Sequence, residues 1–157
     1  SSLVSVRIAD NRRLCVATPA YLQRHGTPRH PSDLLQFDCL TLSSEASQIR
    51  GWAFRMPTEG GGTEVGYIKP GGPLDCSDGQ VLYDWCLSGY GIAWRSTWEV
   101  EAEVAAGRLV EVLADFAAPP NGIYVVFPQR KHMPLRVRLW IEYLKQQYAQ
   151  PAFWQGR

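Results

Sequence analysis

The side chains able to do chemistry in this sequence are mostly hydroxyls, with one carboxylate and one guanidinium beside them. Ser77 stands three residues before Gln80 and just ahead of the apolar run Val81, Leu82, Trp85. That is the spacing of a capping box, in which the hydroxyl accepts the Gln80 amide and the Gln80 side chain reaches back. A helix starting there presents unpaired amides and a positive dipole end. The loop Cys76-Ser77-Asp78-Gly79 therefore suits an anion or another polar ligand. The plainer alternative is that Ser77 caps its helix and does nothing more. Ser43 and Ser44 open the polar loop SSEAS behind the apolar run Cys39-Leu40-Thr41-Leu42. Open α/β sheets place ligands at such strand ends, while an ordinary serine-rich loop accounts for the same residues. Thr18 sits at the mouth of a strand-to-helix junction. Arg95 follows the buried run Gly91–Trp94, where a cation either faces a carboxylated ligand or pairs with Glu99 four residues on.

The chain holds no GxSxG elbow, no HExxH and no Walker sequence, so nothing points to a nucleophile or a metal-activated water. His25, His30 and Cys39 match no standard zinc spacing, and histidines flanking a proline-rich turn are usually solvated. No metal and no cofactor is expected. The run TEGGGTE lacks the Lys-Ser/Thr continuation of a phosphate loop and reads as a hairpin tip. Arg12-Arg13 and Arg130-Lys131-His132 lack the interleaved aromatics or recognition helix that reading nucleic acid requires.

The bulk properties leave a soluble, globular reading. At 157 residues the chain is one domain by length, with 45% hydrophobic and 20% charged residues. A net charge of +1 offers no general attraction to nucleic acid or anionic lipid. Cys15, Cys39, Cys76 and Cys86 are widely spread without a CxxC pair, which suits buried thiols in the reducing cytoplasm. No apolar run approaches a membrane span, and the start lacks the apolar core of a signal peptide. Beginning on Ser-Ser within an alternating pattern, with no initiator Met, suggests a piece of something longer.

The elements that must position these groups follow from periodicity and turn residues. Leu3 to Ile8 alternate, ADNRR is expected to turn the chain, and Leu14–Ala17 reads as a buried strand. Thr18 then caps a helix that opens at Pro19 and stops at Gly26. Pro31 begins a short helix over Ser32–Leu35, and Cys39–Leu42 is the next strand. Trp52–Phe54 and Val65–Ile68 form a hairpin. The helix after Ser77 ends at Gly89, in position for a left-handed cap. Gly91–Trp94 is a strand, Thr97 is expected to cap a helix ending at Gly107, and Leu109–Leu113 is a strand. Ile123–Phe127, apolar throughout, is expected to be central in its sheet. A last helix from Pro134 carries Val137, Trp140, Ile141, Leu144 and Tyr148 on one face, ahead of the aromatic tail PAFWQGR.

Taken in order, RRLCVATPAYLQRHGTPRHPSDLLQFDCLTL, a Trp-Ala-Phe hairpin, DGQVLYDWCLSGYGIAWRSTWEVEAEVAAGRLVEVL and IYVVFPQRKHMPLRVRLWIEYL resemble the effector-binding domain of LysR-type bacterial transcriptional regulators. The likeness runs from about Arg12 to Tyr148. It implies an α/β, periplasmic-binding-protein-like (type II) fold, a mixed sheet flanked by helices in two lobes around a cleft for a small effector. About 13–113 would be the second lobe, and about 1–12 with 114–150 a remnant of the first, the DNA-binding domain being absent from the chain. The resemblance carries effector contacts onto Ser43, Ser44, Ser77 and Asp78, with Thr18 at the cleft hinge and Arg95 in a departure from the family pattern. Arg95-Ser96 stands where the family often has Leu-Pro, and Asn is frequent near Ser77. The implied function is effector sensing without catalysis, in a homo-oligomer, dimer or tetramer. The effector would be small and possibly anionic. DNA would be bound only through a segment outside the chain, with no membrane partner. A solute-binding protein of a transport system is the alternative.

Overall fold

The computed structural model describes residues 2–43, 50–128 and 132–150. Along the chain run β1 (Leu3–Asn11), β2 (Arg13–Ala17), α1 (Pro19–His25), a 3-10 turn (Pro31–Gln36), β3 (Thr41–Leu42), β4 (Trp52–Pro57) and β5 (Thr63–Ile68). They are followed by β6 (Asp75–Cys76), α2 (Gly79–Leu87), β7 (Ala93–Ser96), α3 (Thr97–Ala105), β8 (Val110–Val112), a second 3-10 turn (Ala114–Phe116), β9 (Asn121–Pro128) and α4 (Leu135–Tyr148). The chain divides into two compact units, 13–119 and 1–12 with 120–157.

In the larger unit β2 is the middle strand, antiparallel to β7 on one side and β8 on the other. Its run Leu-Cys-Val-Ala has no polar member because both faces are covered. Leu14 and Val16 join Leu82, Cys86 and Val100 in one core, whereas Cys15 and Ala17 join Tyr21, Leu34 and Trp52 in the other. Isolated bridges extend the layer, Cys39 to Ile92 in parallel and Phe54 to Ala117 antiparallel. Hence Cys39 is held by one bridge and the regular strand is only Thr41–Leu42, shorter than the expected Cys39–Leu42. β4 and β5 form the expected antiparallel hairpin around the glycine-rich tip.

Local chemistry explains most boundaries. Thr18 caps α1, its Oγ1 accepting the Tyr21 N–H at 3.1 Å, and Pro19 fills the first helical position where its missing N–H costs nothing. Thr18→Ala is therefore expected to cost about 1 kcal/mol, read as a shift in the urea unfolding midpoint; an unchanged midpoint would remove the cap from the account. Two caps fall elsewhere than expected. Asp78, not Ser77, caps α2, and Ser96, not Thr97, stands at the N-cap of α3. Gly89, at φ +81, follows α2 in the left-handed conformation its position suggested.

Three of the four cysteines are buried, and Cys76 is only partly so. Burial disfavours the thiolate, so Cys39 and Cys86 are each pushed up to about 12 and Cys15 is held well above the ordinary thiol value. Only Cys76 is expected to react quickly with a thiol reagent at neutral to mildly alkaline pH, as mass spectrometry of the labelled chain would show. The linkage has a definite sign. Below the ordinary value of 9.0 these thiols are neutral folded and unfolded alike. Above it the unfolded chain ionises first, so their contribution to stability falls as pH rises from 9 toward 12.

In the smaller unit β1 and β9 form an antiparallel ribbon from Leu3–Pro128 to Asn11–Asn121, with an irregularity between Arg7 and Ala9. The expected turn at ADNRR is absent: β1 continues through Asp10 to Asn11. Among the described residues β9 pairs with β1 alone, and its side chains alternate between half-buried and exposed. α4 turns Ile141 inward, but Leu139, Trp140 and Tyr143 on it stay 54–59% exposed. The tail 151–157 lies outside the described residues.

Candidate functional site

The candidate site is assembled from backbone at the end of the parallel pair β3–β6, where Thr41 faces Asp75 and Leu42 faces Cys76. Beyond the last pair the Ser43 N–H donates to the Cys76 carbonyl at 2.7 Å, and the Ser43 hydroxyl donates to the same oxygen at 2.9 Å. Ser43 is thus tied to the turn that leads into α2, although 33 residues separate the two in sequence. The Cys76 thiol donates to the Asp78 carbonyl at 3.2 Å and tightens that turn further.

Asp78 closes the end of the helix. Its Oδ1 accepts the N–H of Gln80 at 2.8 Å and of Val81 at 3.1 Å. A carboxylate holds this position better than a hydroxyl, because its charge also meets the positive end of the helix dipole. Gln80 accordingly does not reach back; its Nε2 donates to Asp84 Oδ1 at 3.0 Å, one turn along. Two amides that the sequence offers to an anion are therefore already occupied by the chain itself. Ser77 is exposed beside them and has a partner of its own.

Arg95 lies within β7, opposite Leu14, rather than after a strand. It is 6% exposed, and its Nη2 meets Glu99 Oε1 at 2.5 Å. The other carboxylate oxygen, Oε2, accepts the Ser96 N–H at 3.1 Å. The pairing with Glu99 expected from the four-residue spacing is therefore formed. The guanidinium nevertheless faces the start of α2: a Cβ on Gly79 would stand 2.9 Å from Arg95 Nη2. Glu99 and Gly79 are the positions that residue-type reasoning passed over as site elements. The four-residue spacing from Arg95 was the legible signal for the first; nothing local marks the second.

Ser43, Ser77, Asp78 and Arg95 consequently gather at the N-terminal end of α2, and Ser44 lies outside the described residues. Thr18 does not join them. Its Oγ1 is 3.3 Å from where a Cβ on Gly89 would be, past the opposite end of α2, where Arg24 also donates to the Gly89 carbonyl at 3.1 Å. A nine-residue helix at about 1.5 Å per residue separates the two ends by about 13 Å. What the group can do is hydrogen-bond a small polar molecule, chiefly through lone pairs that hydroxyls retain after donating. Among the described residues no three or more His, Cys, Asp and Glu side chains come together to hold a metal ion, and no helix is long and apolar enough to cross a membrane.

Comparison with known proteins gives consistent likenesses. Residues 1–149 match the family model described as LysR substrate binding domain. The HTH-type transcriptional regulator DmlR of Escherichia coli is 34% identical over 149 residues, 95% of this chain and 47% of that protein. The solved structure of CrgA, a LysR-type transcriptional regulator from Neisseria meningitidis, superposes with a TM-score of 0.72 at 28% identity, over 96% of this chain and 49% of that one. The CrgA regulatory domain alone gives 0.68 at 29% identity, over 92% of this chain and 68% of that one. The chain thus spans about half the length of the curated relatives it matches. The fold class is α/β, of the type II periplasmic-binding-protein-like kind.

Proposed function

The chain belongs to the LysR substrate-binding domain family, and on that footing we propose that it is the effector-sensing part of a bacterial DNA-binding transcriptional regulator. The observation that carries the reading is the family match over residues 1–149 together with relatives named as HTH-type regulators. Those relatives are named as regulators, which leaves the transport alternative without support, and the family is not one of enzymes.

In this reading 13–113 is the second lobe, and 1–12 with 114–150 belongs to the first. The remainder of that lobe and the DNA-binding domain lie outside these residues. The exposed Leu139, Trp140 and Tyr143 support it, since large side chains on a helix are normally covered. A small molecule held by Ser43, Ser44, Ser77 and Asp78 favours one arrangement of the domain, and contacts in a dimer or tetramer pass that preference to the DNA-binding part. Such a protein works in the cytoplasm. Thr18, at the far end of α2, acts as a hinge-side contact, and Arg95 shapes the pocket wall through Gly79. The effector meets hydroxyl groups and one carboxylate there. Because Asp78 already occupies the amides of Gln80 and Val81, the helix end gives an anion less than the sequence suggests.

A thermal-shift screen of small carboxylates, polyols and aromatic compounds on the full-length protein tests this. At least one compound is expected to raise the melting temperature, and Ser43→Ala and Ser77→Ala are expected to reduce that rise without abolishing folding. An effector shift that both variants leave intact would place the pocket elsewhere.

A further inference from the structure

We draw no further inference here: the strongest candidate, the apolar cavity of about 400 Å³ between the β1–β9 ribbon and the start of α4, lined by Val4, Phe127, Met133 and Val137 beside the exposed face of α4, is an unpartnered surface on which the structure shows nothing seated, and the first-lobe reading above already accounts for it.

Discussion

Glu99→Ala is expected to destabilise the 13–119 unit by about 3–5 kcal/mol, because it takes the Glu99 carboxylate away from a buried guanidinium. Arg95 is 6% exposed and Glu99 supplies the carboxylate 2.5 Å from its Nη2. The same change removes the acceptor for the Ser96 N–H, so the N-terminus of α3 loosens as well. Urea titration followed by tryptophan fluorescence, to which the stacked Trp52 and Trp94 contribute, would measure the loss. Replacing the cation too, as Arg95→Leu with Glu99→Ala, is expected to recover most of it, since a buried ion pair is worth little against an apolar group of similar size. A single-variant loss below about 1 kcal/mol would show that water reaches the guanidinium and that the pair is only a surface one. Gly79 adds a second check. With Arg95 in place Gly79→Ala is crowded at 2.9 Å, and in the Arg95→Leu background that crowding is gone. The two substitutions should therefore be non-additive.

Gly91→Ala is expected to cost about 3 kcal/mol, the upper end of the usual range for overpacking. The reason is close approach rather than backbone conformation. A Cβ at this position would stand 2.3 Å from the Asp38 carbonyl oxygen and 3.3 Å from Leu40 Cγ. Moving the segments apart to make room stretches the bonds that join them, Ile92 N–H to Asp38 O at 2.9 Å and Leu40 N–H to Ile92 O at 2.8 Å. The segment Asp38–Leu42 leads into the candidate site, so the displacement reaches Ser43 too. Gly107→Ala is the informative control. Its φ is +75 but nothing lies within 4 Å, so its cost is limited to the strain of a left-handed residue, about 1–2 kcal/mol. If the two variants proved equally destabilised, steric contact with Asp38 could not be the cause at Gly91.

Much of the framework was legible because its signals are local. The unbroken apolar run at Leu14–Ala17 announces a strand covered on both faces, and β2 lies between two cores. Thr18-Pro19 and Gly26 bracket α1, and Trp52–Phe54 with Val65–Ile68 flank a turn that only a hairpin satisfies. The misreadings share one origin. How many partners a strand such as Ile123–Phe127 has depends on chain elsewhere, and among the described residues it has one. ADNRR looks like a turn by composition, yet pairing of Asp10 with Gly122 and Asn11 with Asn121 keeps it extended.

Sequence alone determined the order of most elements, the absence of catalytic motifs and the family, since each rests on residue type and spacing along the chain. Tertiary structure decided which polar groups meet. Ser43 reaches the Cys76 carbonyl across 33 residues, Asp78 takes the Gln80 amide that Ser77 was expected to cap, and Arg95 pairs with Glu99. Thr18 ends up beyond the other end of α2. The physical reason is that periodicity and turn chemistry act over a few residues. A hydrogen-bond partner is instead selected to within about 0.3 Å by segments that only the packed sheet brings together.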